Sequence, residues 1–261
     1  MSSHIPHVIA YHKISPHQDI GINRVHPEKF EDQINIILDC GYDPVTFSQL
    51  VYEVKPVKNP LVITFDDGYE SVYQNAFPIL KKHNIPAVVF VISNFVGDIN
   101  NWESFSIQRR FRHLTHNQII DLHKSGWEIG SHSKNHPYLP ALPEQKIKDE
   151  IRGSKEFIED IIQDRVISFC YPYGRYNQQI IKVVKDAGYI YATCNVRLFK
   201  NEVTAWNLER RSIYYTDTEA SFKQKLKHSR KQLDFSLLKE WIIQRGTIPG
   251  VAVNKFHNLK Y

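Results

Sequence analysis

The chain is 261 residues long, 42% hydrophobic and 23% charged, with a formal net charge of +5. These values are ordinary for a folded protein and exclude general disorder; the length suits one large domain or two small ones. The mild basic excess suits an anionic partner without requiring one, and with no long block of like charge no nucleic-acid partner is expected.

Short apolar runs alternate with helical patterns along the chain. HVIAY (7–11) predicts the first strand. PEKFEDQINIILDCG (27–41) predicts a helix: Pro27 suits its start, Phe30, Ile34 and Ile37 share a face, and Gly41 suits its end. LVITF (61–65) predicts a strand, and YESVYQNAFPILKKH (69–83) a helix kinked or broken at Pro78. AVVFVIS (87–93) predicts a strand, and THNQIIDLHKSG (115–126) a helix capped by Thr115 and stopped by Gly126. Strands follow at 127–132, 166–171 and 189–195, and helices at 143–162 and 177–188, the last capped by Asn177. The tail from about residue 217 carries a helical stretch and GVAVNKFHN (250–258), a last strand candidate. Strand–helix alternation with continuous apolar strands predicts a parallel sheet. No repeat, linker or composition break divides it, so one α/β domain over residues 1–261 with a barrel-like sheet is expected.

Cys40, Cys170 and Cys194 match no CxxC pattern and are too few for a disulfide framework, so they read as reduced thiols. The N-terminus, MSSHIPHVIAYHKI, lacks a basic region followed by a long apolar run, and no run reaches the ~18 apolar residues of a membrane span. The expected location is cytoplasmic.

In parallel sheets, functional groups gather at the C-terminal strand ends. Four predicted strand ends carry such groups: His12 after the first strand, Asp66 and Asp67 after LVITF, His132 and His136 in IGSHSKNHP (129–137), and the turn in FCYPYG (169–174). Singly, each has a plainer reading: a solvated acid pair or helix cap, a chance HxxxH among thirteen histidines, a hydrogen-bonded core histidine, a tight turn. Together, two imidazoles and one carboxylate make a metal site with open positions, suited to zinc, iron, nickel or cobalt. Neighbouring residues point in different directions, so Asp67 can hold the metal while Asp66 faces a water as general base.

These residues resemble the polysaccharide deacetylase family, the carbohydrate esterases that share the NodB homology domain. TFDDG (64–68), SHSKNH (131–136) and FCYPYG (169–174) are similar to its three motifs, and the likeness extends over roughly residues 5–215. The resemblance implies a distorted (β/α) barrel and metal-dependent removal of N-acetyl groups from amino sugars. It implies Asp66 as general base, and Asp67, His132 and His136 as ligands of a divalent metal, usually Zn2+, with Co2+ or Ni2+ accepted. It implies that the Tyr173 turn supplies a backbone N–H to the oxyanion.

Two departures stand out. Cys170 replaces the arginine that often tethers the base, and Arg211 in LERRSI (208–213) is expected to take its place. The family's late histidine acid has a poor match in His257, whereas AYHKI (10–14) resembles a permuted branch similar to biofilm glucosamine deacetylases, which makes His12 the expected general acid. The long aromatic and basic loop at 93–116 is expected to shape the substrate site, with Trp102, Arg109 and Arg110 as candidate contacts and Tyr173 as a further substrate-binding residue. The expected partner is a carbohydrate bearing N-acetylated amino sugars, polymeric, lipid-linked or nucleotide-linked. Rival readings are a deformylase or other small-acyl amidase, a metal phosphohydrolase, and a silent glycan-binding domain; an intact set of Asp66, Asp67, His132 and His136 argues against the last.

Overall fold

In the computed structural model, which describes residues 6–17, 22–52, 57–99, 111–196 and 202–227, each long apolar run becomes a strand. The elements are β1 (His7–Tyr11), β2 (Lys13–Ile14), β3 (Arg24–Val25), α1 (Pro27–Asp39), β4 (Asp43–Pro44), α2 (Phe47–Tyr52), β5 (Pro60–Phe65), α3 (Phe77–Lys82), β6 (Val88–Val91), α4 (His116–Lys124), β7 (Glu128–Ser131), α5 (Glu144–Ile162), β8 (Ser168–Cys170), α6 (Gln178–Asp186), β9 (Tyr191–Asn195), β10 (Leu208–Ser212) and α7 (Glu219–Leu226). β5 to β10 pair in chain order, and β1 closes the ring by pairing with both β10 and β5. All these pairs are parallel, so the architecture is a closed seven-strand (β/α) barrel of the kind expected.

The two-residue period of a strand sorts the side chains. Leu61, Ile63 and Phe65 of β5 face outward into the layer formed with Phe30 and Ile34 of α1 and Ile151 of α5. Val62 faces inward, where it meets Val8, Val88, Phe90 and Leu208. Val45 and Phe47 join that inner cluster and close the N-terminal end of the barrel. The Glu128 carboxylate fastens the plug, accepting from Ser48 N at 2.7 Å, Ser48 Oγ at 2.9 Å and Ser168 Oγ at 2.5 Å. Catalytic groups are thereby left to the opposite, C-terminal end.

Thr115 caps α4 with a full capping box, and Asn177 caps α6, as their side chains predict. At 69–83 the expected kink takes another form. Pro78 cannot donate to the preceding turn, and the chain widens into a π turn over Val72–Ala76, with Phe77 N–H bonded to Val72 O, rather than breaking. β10 had no counterpart among the expected strands. The candidate strand at 250–258 lies outside the described residues, and no described helix is long and apolar enough to cross a membrane.

Candidate metal and catalytic site

β5 delivers the two acids. By strand alternation Val62, Thr64 and Asp66 share the inward phase, so Asp66 enters the barrel mouth while Asp67 points in a different direction, toward the loop after β7. Asp66 N–H donates to Tyr11 O at 2.9 Å, which ties the acid turn to the end of β1. The next strand ends deliver the imidazoles. His132 follows β7, and its N–H donates to Val91 O of β6 at 2.8 Å. His136 lies one short loop further on, in the left-handed region at φ 55°.

Asp67 Oδ1 is 3.5 Å from His132 Nε2 and 3.6 Å from His136 Nε2. The three residues are buried, and one donor atom from each lies within 4.8 Å of the others. His132 Nδ1 sits 2.7 Å from Cys170 O. A carbonyl only accepts, so Nδ1 carries the hydrogen and the Nε2 lone pair faces Asp67, the arrangement expected of a metal-ligating histidine. Burial, reinforced by the neighbouring His136, pushes the His132 pKa down to about 4, and burial pushes His136 down to about 3. Both rings are therefore neutral ligands at physiological pH. Two neutral imidazoles and one carboxylate at these spacings fit a divalent metal.

The loop that carries the histidines is held from three sides. Glu150 of α5, itself buried, accepts from Lys134 N and Asn135 N at 2.9 Å each and from Asn135 Nδ2 at 2.6 Å. Ser133 Oγ accepts from His136 N at 3.0 Å. Asn94 N, after β6, donates to Lys134 O at 3.0 Å.

The guanidinium expected from Arg211 comes from Arg210. Its Nη1 and Nη2 donate to the two Asp66 oxygens at 2.6 and 2.7 Å, to Thr64 Oγ at 3.1 Å, and to Cys170 Sγ at 3.1 Å. Strand parity is the reason: Leu208, Arg210 and Ser212 are buried on one face of β10, while Glu209 and Arg211 occupy the other, half-buried. The small Cys170 side chain leaves room for this guanidinium. Asp66, His132 and Cys170 form a second cluster with metal-ligand spacing, but Arg210 already supplies its positive charge, and burial raises the Cys170 thiol pKa well above its ordinary value. Burial alone would raise the Asp66 pKa too; the charge and hydrogen bonds of Arg210 outweigh it and hold the carboxyl far below the usual range.

His12 Nε2 lies 3.8 Å from Asp66 Oδ2, with its side chain 21% exposed at the mouth. Tyr173 caps the far side: φ is 57°, and its ring centroid is 4.6 Å from that of His136. Asn195 of β9 donates to Tyr173 O at 3.3 Å, and a Cβ on Gly174 would lie 2.4 Å from the Asn195 side chain, so residue 174 must be glycine for this contact. Glu150, Asn195 and Arg210 were not singled out from the sequence. Parity within LERRS could have found Arg210; nothing local marks the other two. Trp102, Arg109, Arg110 and His257 lie outside the described residues.

A closed parallel barrel with buried ligand-type groups at its C-terminal mouth defines the class: an α/β barrel with a candidate metal site at its strand ends. Comparison with known proteins gives the family. The polysaccharide deacetylase profile matches residues 53–192, more than half of the chain, and the chain belongs to that family. YxkH of Bacillus subtilis (strain 168), classed with the polysaccharide deacetylases, is 31% identical over 186 residues, 70% of this chain and 61% of its own length. The poly-beta-1,6-N-acetyl-D-glucosamine N-deacetylase of Staphylococcus aureus (strain MSSA476) is 29% identical over 179 residues, 64% of this chain and 59% of that enzyme. The chain thus spans about three fifths of these relatives. The crystal structure of a polysaccharide deacetylase from Bacillus cereus superposes with a TM-score of 0.71 at 27% identity, covering 85% of this chain and 68% of that one.

Proposed function

We propose that this protein is a divalent-metal-dependent N-deacetylase that releases acetate from N-acetylated amino sugars of a glycan. The observation that carries the reading is the convergence of Asp67, His132 and His136 beside a second, separately held carboxylate, Asp66. A metal held by the first three, with zinc the first candidate and cobalt or nickel alternatives, would polarise an acyl carbonyl and acidify a water.

The chain's own groups would do the rest. Asp66 stays ionised because of Arg210 and takes the proton of the attacking water. The Tyr173 turn, fixed by Asn195, aims a backbone N–H at the developing oxyanion. His12, across from Asp66, protonates the departing sugar amine. A buried site framed by these groups also excludes bulk water from the reacting amide.

The staphylococcal relative acts on poly-beta-1,6-N-acetyl-D-glucosamine, so oligomers of that linkage are the first substrates to assay, followed by lipid- and nucleotide-linked N-acetyl sugars. A cytoplasmic setting, which suits three cysteines that form no disulfide, belongs to the same proposal and is checked by cell fractionation. The deciding experiment is acetate release with and without chelator, then with zinc, cobalt or nickel restored. Metal-dependent acetate supports the reading. Formate instead of acetate would make the enzyme a deformylase, and bound metal with no acyl release would point to a glycan-binding domain.

A further inference from the structure

The acid turn carries an unusual backbone. Asp67 and Gly68 are both left-handed, with φ of 68° and 64°. Glycine adopts this freely, whereas an L-residue such as Asp67 does so at a cost of roughly 1 kcal/mol. Something must hold Asp67 there, because its side-chain direction follows from its backbone.

The segment 111–114 supplies the hold. It runs antiparallel past the turn: Tyr69 bridges to His113, Glu70 N–H donates to Arg112 O at 2.9 Å, and Leu114 N–H donates to Gly68 O at 2.8 Å. These are backbone contacts that many sequences could make. One contact depends on a particular side chain. His113 Nδ1 lies 2.7 Å from the Asp67 carbonyl oxygen, and as that oxygen only accepts, Nδ1 must carry the hydrogen. The ring is buried, packed between Tyr69 at 5.0 Å and Phe95 at 5.6 Å. The strap is pinned at both ends. Leu114 O accepts from Gly97 N at 2.9 Å, and the Phe111 ring sits 3.9 Å from Lys13 Nζ of β2, the residue after His12.

We propose that His113 is a positioning residue for Asp67: its Nδ1–H clamps the peptide of the left-handed aspartate and so fixes the carboxylate against His132 and His136. The inference rests on Asp67 being a metal ligand, as proposed above. Without the clamp, residue 67 can relax toward negative φ and swing its carboxylate out of the 3.5–3.6 Å range of the two imidazoles. Hydrogen-bond partners that orient a metal-ligating residue are commonly worth about 10–100-fold in metal affinity.

Three substitutions separate the hydrogen bond from mere packing. His113→Asn places an amide donor near the Nδ1 position. His113→Gln places it near Nε2, beyond the Asp67 carbonyl. His113→Leu fills the volume with no donor. Zinc and cobalt affinities are measured by competition with a chromophoric chelator, alongside the visible spectrum of the cobalt form and the melting temperature without metal. The expected result is affinity near wild type for the Asn variant, and a loss of about tenfold or more for Gln and Leu with an altered cobalt spectrum. Wild-type affinity in the Gln or Leu variant, or equal losses in all three, overturns the clamp. If the Leu variant does not fold, the Asn–Gln contrast decides. A wild-type protein that binds no metal overturns the underlying reading of Asp67, whereas metal-binding wild type with indifferent variants overturns the role of His113 alone.

Discussion

At Asp66 two effects of opposite sign meet. Burial favours the protonated carboxyl; the bidentate Arg210 guanidinium favours the carboxylate and prevails. The carboxyl proposed as base is therefore ionised at physiological pH, and its proton affinity depends chiefly on one side chain on a strand far away in sequence. Replacing Arg210 removes the strongest influence that lowers the pKa and leaves burial, opposed only by the nearby His12 and His132, to raise it. For Arg210→Lys, which keeps the charge but loses the two-pronged geometry, the acidic limb of the kcat/KM profile is expected to move to higher pH, with Arg211→Lys as the comparison that leaves it in place. Arg210→Met strands a buried carboxylate and is expected to lose about 3–5 kcal/mol of stability in urea denaturation. The two neighbouring acids separate by a different measurement. Asp66→Asn should retain metal, measured by elemental analysis, while turnover falls by about 10²-fold or more. Asp67→Asn should lose the metal itself. If Asp66→Asn keeps most of its turnover, the base is another group.

The elements hold these residues by interlocking across the barrel. Gly130 of β7 shows how little slack there is: a Cβ there would lie 2.5 Å from the Phe90 ring and 2.7 Å from Ser168 Oγ. Phe90 in turn lies under the Arg210 guanidinium, 5.6 Å from its ring centre. Gly130→Ala is expected to cost about 1–3 kcal/mol by overpacking and to lower kcat/KM as well, because the displaced ring supports the partner of Asp66. Thermal melts and kinetics on the one variant check both effects. Glu150 exerts similar control from outside the barrel, since Glu150→Ala removes both carboxylate oxygens that accept three hydrogen bonds from the His132–His136 loop. The sequence shows some of these relations and hides others for a physical reason. HVIAY and LVITF announce strands because both of their faces are apolar, and TFDDG and HxxxH announce a site because acids and imidazoles at strand ends need partners. LERRS reads as a polar surface stretch, since three of its five residues are charged, yet Arg210 is 2% exposed. Its charge is matched by Asp66, 144 residues earlier, and no local pattern contains that pairing. Asn195 and Glu150 escape for the same reason: their targets lie on other loops.

For the whole molecule, the C-terminal mouth gathers ionisable groups that a stable core would leave out, and stability must depend on pH as a result. His132 and His136 have pKa values pushed down to about 4 and about 3 from an ordinary 6.5, chiefly by burial. The unfolded chain protonates both near 6.5. Between that pH and about 3 the unfolded state carries more protons than the folded one, so stability rises with pH over this window. The support is complete above 6.5 and is lost as the pH falls through the folded values. Metal-free protein in urea titrations at pH 7, 6, 5 and 4 should therefore lose several kcal/mol in total, on the order of 1.4 kcal/mol per unit for each ring across its own window. The double variant His132→Asn, His136→Asn should lose visibly less over the same range. A metal at the proposed site would bind the neutral rings of the folded state, so added zinc is expected to raise the melting temperature at pH 7, and this increment should shrink toward pH 4 as protons compete for the same nitrogens. A variant whose pH slope matched wild type would place the acid sensitivity elsewhere.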